Sequence, residues 1–242
     1  MREGGEKLAE IMKELILQVK PGVTTGELDA QAEKAIIKAG AKPAFKNYQR
    51  FPSTLCASVN AELVHVIPSH NKVLREGDII TLDLGLVWKE FYLDMARTVP
   101  VGEISEDAFH LIRTTRKALK LGVKKVRPGN TVGDIGNTIQ RFVESQGYNV
   151  VRDLCGHGIG KDLHEDPHVL NYGKRHSGEE LKEGMVICIE PMVTVGDWNL
   201  KKAEDKYGYM TKDGKLSAHF EDTIAVTEDG ADILTVYSKI SE

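Results

Sequence analysis

Long apolar runs are missing from this sequence; no stretch approaches the roughly 20 residues that a helix needs to cross a bilayer. No signal peptide is expected either, because the opening MREGGEKLAE is charged at once and carries no apolar stretch. Cysteine is scarce: Cys56, Cys155 and Cys188 make an odd count of three with no CxxC spacing, which argues against a disulfide framework and against a zinc knuckle. Neither charge sign dominates, since 32 basic and 36 acidic residues leave a net −4, so no basic field draws the chain to nucleic acid or to an anionic membrane. Aromatic residues make up only 6%, but 41% of the 242 residues are apolar and 28% charged. That composition fits a globular protein and opposes global disorder. The expectation is a cytoplasmic, monomeric protein with neither a membrane nor a specific nucleic-acid sequence as partner.

What is present is a repeat. VKPGVTTGEL at 19–28 recurs as VRPGNTVGDI at 126–135, and LREGDIITLD at 74–83 recurs as LKEGMVICIE at 181–190, each 107 positions later. Gly40 and Gly147 keep the same offset. The expected organisation is a single domain over 1–242, built from two homologous halves at roughly 1–100 and 101–242. Leu8, Ile11, Met12, Leu15, Ile16 and Val19 form one helical stripe, and its counterpart runs from about Ile104 to Val123. A second helix in each half opens on a capping box, Thr24-x-x-Glu27 or Thr131-x-x-Asp134, and stops at Gly40 or Gly147. Strands are predicted over 78–87, 91–99, 185–195 and 218–227. The class is α+β, two pseudo-symmetric helix–helix–strand halves with antiparallel sheets around a shared cleft. Residues 196–215 match nothing in the first half and are read as a hairpin or loop at the cleft rim.

The repeat superimposes Asp83 on Glu190, two carboxylates inside apolar strands, where burial is costly without a partner or a cation. Asp94 in FYLDMART and Glu221 in AHFEDTIAV add one acid per half in similar company. Four converging carboxylates repel one another and call for divalent cations. His157, in CGHGIG, sits among glycines that allow close approach, and beside four acids it reads as an imidazole ligand. His65 and His164 share an H-x-x-P pattern at similar places in the two halves, suited to handling protons or binding an oxyanion. His70, His110, His168, His176 and His219 are read as surface or packing residues. HEDPH at 164–168 spells the H-E-x-x-H zinc-protease pattern, but Pro167 would sit inside the helical turn that pattern requires, so the reading is rejected.

Taken together, LCGHGIGKDLHEDPHVLNYG, GMVICIEPMV, SAHFEDTIAV, ITLDLG followed by FYLDMARTV, and CASVNAELVHVIPS closely resemble methionine aminopeptidases of the type I, bacterial kind, over essentially the whole chain. The resemblance implies the pita-bread fold and a dinuclear centre made from Asp83, Asp94, His157, Glu190 and Glu221. In it, Asp83 chelates one divalent ion, His157 and Glu190 bind the other, and Asp94 and Glu221 bridge both. The ions would be cobalt, manganese, iron or zinc. It further implies hydrolysis of the first peptide bond by metal-activated water, with Glu190 moving the proton, His164 donating to the developing oxyanion and His65 contacting the scissile amide or the leaving side. Phe45, Tyr48, Phe51, Cys56 and Tyr207 would line the methionine pocket. The implied substrates are N-termini of nascent polypeptides with a small second residue, with the ribosome near its exit tunnel as a further partner. Leu163 stands where some relatives carry an aromatic residue and Tyr207 where others carry tryptophan, which touches selectivity rather than reaction. The alternatives are a prolidase or Xaa-Pro aminopeptidase, expected to need an additional N-terminal domain, and a non-catalytic peptide-binding paralogue, expected to have lost its metal ligands.

Overall fold

Each half of the chain opens on a pair of helices: α1 (Arg2–Ile16) with α2 (Thr25–Lys38), and α3 (Glu106–Val123) with α4 (Val132–Ser145). The structure, a computed structural model, describes residues 1–236, so the last residues of the expected domain lie outside the described residues. α2 and α4 are both 14 residues long. Each starts on a complete capping box, in which the N-cap threonine oxygen accepts the backbone N–H of Glu27 or Asp134 and that carboxylate accepts the threonine N–H. The turn glycines come in pairs as well. Gly22 and Gly129, Gly40 and Gly147, and Gly77 and Gly184 all hold φ between +76° and +90°, a region closed to most side chains. A lone β-bridge, Thr24 to Val73, is repeated as Thr131 to Glu180. The offset read from the sequence is thus an offset of local structure. α1 ends at Ile16, short of the predicted stripe, and Val19 packs against the core from the turn beyond it.

The strands are β1 (Lys42–Pro43), β2 (Leu55–Val59), β3 (Glu62–Val64), β4 (Ile79–Trp88), β5 (Phe91–Pro100), β6 (Asn149–Val150), β7 (Gly156–Gly158), β8 (Glu165–Val169), β9 (Val186–Ile189), β10 (Met192–Thr194), β11 (Leu200–Lys202), β12 (Tyr209–Thr211), β13 (Ser217–His219), β14 (Glu221–Thr227) and β15 (Gly230–Ile233). A nine-stranded sheet runs β1-β4-β5-β14-β9-β7-β8, with β2 also on β4 and β15 also on β14. Strand periodicity sorts its two faces. Ile80, Leu82, Leu84 and Leu86 of β4, with Leu93 and Met95 of β5, pack against α1 and α2. Ile187 and Ile189 of β9, with Ile224 and Val226 of β14, pack against α3 and α4. Each such side chain contributes roughly 1.5–3 kcal/mol on burial. The helices therefore claim one face of the sheet, and the alternate residues Asp83, Asp94, Ala96, Cys188 and Glu221 belong to the other. Because both faces are covered, these strands read as continuous apolar runs rather than as an alternation.

Two predicted strands are each interrupted once. The 185–195 run divides into β9 and β10 at Glu190-Pro191, where proline has no N–H to give the ladder. The 218–227 run divides into β13 and β14 at Phe220. β10, after the first break, and β13, before the second, join β6 in a second small sheet, β13-β10-β6. The unmatched segment supplies β11 and β12, a hairpin that adds to β3 in a third sheet. Among the described residues no helix is long and apolar enough to cross a membrane.

Candidate metal centre and substrate cleft

Register puts the acids side by side. Cys56 on β2 faces Asp83 on β4, Asp83 faces Ala96 on β5, and Ala96 faces Glu221 on β14. Residues directly opposite in an antiparallel pair share a face, so these four form one row across the sheet. Asp94 is two residues before Ala96 and lies on the same face, opposite Gly85. Asp222 pairs with Ile189, and one further step along that register sets Glu221 across from Glu190. The methyl group of Ala96, between Asp83 and Glu221, leaves open space where a larger side chain would fill the floor.

His157 arrives from β7. Gly156 and Gly158 flank it because a Cβ at either position would collide with a backbone carbonyl, of Cys188 or of Asp166. Its Nδ1 lies 2.8 Å from the Gly158 carbonyl oxygen. A carbonyl can only accept, so Nδ1 carries the proton and the Nε2 lone pair is free, 3.7 Å from Glu190 Oε1. The backbone behind the acids is tied down. Thr223 accepts the Asp94 N–H and donates to the Asp94 carbonyl. Arg97 donates to the Glu221 carbonyl and forms a buried ion pair with Asp222. Asn171 holds the Glu190 carbonyl at 2.9 Å.

All five of these acids and imidazoles are at most 9% exposed. Burial first, and mutual repulsion second, pushes Asp83, Glu190 and Glu221 well above the ordinary carboxylate range, and burial carries Asp94 to about 7. Burial lowers His157 to about 4, with His164 adding to the shift. Asp83 Oδ1 and Glu221 Oε1 are buried without a hydrogen-bond partner. Among the described residues three overlapping groups have ligand atoms within 4.8 Å of one another: Asp83, Asp94 and Glu221; Glu190, His219 and Glu221; and His157, Cys188 and Glu221. An oxygen-rich set with imidazole and orphaned carboxylate oxygens fits divalent cations, whose charge would remove the repulsion.

The acids floor a cleft of about 320 Å³, and every residue singled out from the sequence lines it, including Phe45, Tyr48, Phe51, Cys56, His65, His164 and Tyr207. Phe45, Phe51, Cys56 and Leu163 form a buried apolar wall, and the Tyr207 ring meets Phe51 edge-on at 5.8 Å. Burial raises the Cys56 thiol well above its usual range, so it serves there as a small apolar surface. His164 stands over the centre, its ring 4.4 Å from that of His157 and its Nδ1 2.9 Å from the Tyr48 hydroxyl. His65 faces the cleft from the end of β3 with φ +59°, uncommon outside glycine. H-E-x-x-H leads into strand β8 and forms no helix, so the zinc-protease reading is excluded by geometry. His70, His110, His168 and His176 are exposed.

His219 is the correction. Read from the sequence as a surface or packing residue, it is 1% exposed and lies in the centre itself, 3.6 Å from Glu190 and 3.8 Å from Glu221. Its spacing, two residues before an acid on a strand, was the available signal. The position two before Asp94 holds Tyr92, so the repeat offered no second copy. Lys202, Lys206 and Tyr209, on the rim hairpin, also line the cleft and carried no motif.

Metallopeptidase family M24 matches residues 1–228 of this chain. The methionine aminopeptidase of Clostridium acetobutylicum is 48% identical over 236 residues, 98% of this chain and 94% of that protein. The crystal structure of methionine aminopeptidase from Rickettsia prowazekii superposes with a TM-score of 0.95 at 40% identity, covering 98% of this chain and 95% of the other. The prolidase from Pyrococcus horikoshii, 24% identical with a TM-score of 0.80 over 99% of this chain and 62% of its own, shares the fold alone. The architecture is the pita-bread fold, and the chain belongs to metallopeptidase family M24.

Proposed function

We propose that this protein is a methionine aminopeptidase that removes the initiator methionine from polypeptides whose second residue is small. The observation that supports this best is the convergence of Asp83, Asp94, His157, Glu190 and Glu221 at the floor of a cleft with an apolar side wall. On this reading those five side chains hold two divalent cations, of cobalt, manganese, iron or zinc. When bound, the cations supply Lewis acidity and a hydrolytic water of lowered pKa. The neutral free α-amino group would serve as a ligand to one of the cations once held; only an N-terminus offers that group, and this makes the activity exopeptidic. The wall of Phe45, Tyr48, Phe51, Cys56 and Tyr207 accommodates an unbranched thioether.

The residues around the scissile bond then divide the proton traffic. A Glu190 carboxylate oxygen takes a proton from the attacking water and passes it to the leaving amine. With the Tyr48 hydroxyl donating to Nδ1, His164 keeps its proton on Nε2 and donates it as a hydrogen bond to the carbonyl oxygen as negative charge develops there. His65 contacts the amide on the leaving side. Such substrates are nascent chains, which assigns the work to the cytoplasm, near the ribosome's exit tunnel.

The test is methionine release by the purified, cation-reconstituted protein from Met-Ala-Ser and Met-Leu-Ser, set beside Xaa-Pro peptides. Rapid cleavage of Met-Ala-Ser alone supports the proposal. Preferential cleavage before proline would identify a prolidase-type enzyme, and comparable cleavage of Met-Leu-Ser would refute the small-residue rule.

A further inference from the structure

We propose that His219 is a sixth protein ligand of the metal centre, on the side formed by Glu190 and Glu221. The inference rests on the metal-centre reading above and adds to it. His219 ends β13 and Glu221 begins β14. Two residues apart in extended chain, they share a face, while Phe220 between them turns into the core beneath α3 and α4. The His219 backbone is clamped, its N–H donating to Thr98 Oγ1 at 2.9 Å and its carbonyl accepting from the same hydroxyl at 2.8 Å. The side chain is thereby held over the acids.

Among the described residues neither ring nitrogen of this 1% exposed imidazole has a hydrogen-bond partner, and a buried polar group left so is costly. Nε2 lies 3.6 Å from Glu190 Oε2 and 3.8 Å from Glu221 Oε2. Those separations are too long for hydrogen bonds. They are close to the roughly 3–3.7 Å between two ligand atoms each about 2.0–2.2 Å from one ion. Glu190 is bracketed, with His157 Nε2 at 3.7 Å from Oε1 and His219 facing Oε2. Added to His157, Glu190 and the bridging Asp94 and Glu221, His219 makes two imidazoles and three carboxylates, and the second nitrogen favours zinc, iron or cobalt over manganese.

The experiment compares the chelator-stripped wild-type chain with His219→Gln and His219→Ala, titrated with Co²⁺ in equilibrium dialysis and followed by its visible ligand-field spectrum. Glutamine offers an amide N–H that can reach Glu190 but is a poor ligand, so it separates coordination from mere polar support. The expected result is at least about tenfold weaker Co²⁺ binding in both variants and a changed spectrum in His219→Gln. Wild-type affinity and spectrum in His219→Gln would overturn the proposal. Electron spin-echo modulation of the Mn²⁺-loaded wild type needs no variant: nitrogen couplings from two imidazoles are expected, and coupling from one alone overturns the assignment. Wild-type protein that binds no divalent cation would instead sink the metal-centre reading, and this inference with it.

Discussion

Replacing His164 by alanine tests the division of labour in the cleft more sharply than removing any ligand. The imidazole sits just ahead of β8 with Nδ1 2.9 Å from the Tyr48 hydroxyl and its ring 4.4 Å from that of His157. A single preorganised donor to a developing oxyanion is worth about 2.7–4 kcal/mol, on the order of 10²–10³ in kcat. Because that bond strengthens in the transition state, KM should hardly move. Tyr48→Phe removes only the hydrogen bond at Nδ1 that orients the ring, a neutral bond of about 0.5–1.5 kcal/mol, so kcat should fall roughly 2- to 12-fold. Tyr48 acts through His164, and the double variant should therefore be no slower than His164→Ala alone. The assay is kcat and KM on Met-Ala-Ser together with bound-cation content by elemental analysis, with His168→Ala, at an exposed position near Cys155, as the control. His164→Ala should keep its cations, and His168→Ala should behave as wild type. A loss of less than about tenfold in kcat, or a matching rise in KM, would refute the oxyanion role. Loss of cation from His168→Ala would overturn the whole site.

Glu190→Gln retains an oxygen donor but no basic atom; kcat should fall at least about 100-fold at saturating cation, and near-wild-type turnover would refute the proton-shuttle assignment. Ala96→Leu places a larger side chain between Asp83 and Glu221, at an overpacking cost of about 1–3 kcal/mol. It should abolish cation binding in equilibrium dialysis while circular dichroism stays native, and unchanged binding would refute the shared-face arrangement. In chelator-stripped protein, Asp94 is raised from 3.8 to about 7, so between these pH values the folded state binds the extra proton and stability falls as pH rises. Asp83, Glu190 and Glu221 are raised as well and add to that loss in the same direction. The melting temperature should therefore drop as pH climbs from 5 to 8 and recover on adding Mn²⁺ at the upper end; a flat profile would refute it.

Local signals survived translation into structure best where one residue type has one physical use. The capping threonines and turn glycines located α2 and α4 because a cap and a positive φ are satisfied within a few residues. The acids were legible for the opposite reason: a carboxylate inside TLDLG or CIEPM has no cheap local explanation. The row from Cys56 through Asp83 and Ala96 to Glu221 was not legible, since register is decided by pairing between strands far apart in the chain. Pro191 could have announced the break after Glu190, but the apolar run around it masked the signal. His219 was missed because an alternating strand gives a histidine no mark of its own, and only the break at Phe220 and the clamp by Thr98 fix where it points.

The duplication explains the acids but not the division between binding and chemistry. Asp83 and Asp94 come from the first half, Glu190 and Glu221 from the second, and this pairing is as symmetric as the capping boxes. The imidazoles nearest the acids, His157 and His219, come from the second half, whereas most of the apolar wall, Phe45, Tyr48, Phe51 and Cys56, comes from the first, with Leu163 and Tyr207 added by the second. Either half alone would carry two buried carboxylates with mutual repulsion and an incomplete donor set, a cost that burial makes severe. Packing the halves against each other completes the wall and brings it beside the second half's imidazoles, and β5 pairs with β14 along the seam. Arg97 straddles this seam, reaching from β5 to the Glu221 carbonyl and the Asp222 carboxylate on β14. The contact that joins the two halves is therefore also the one that sets the position of Glu221, the residue common to all three ligand groups.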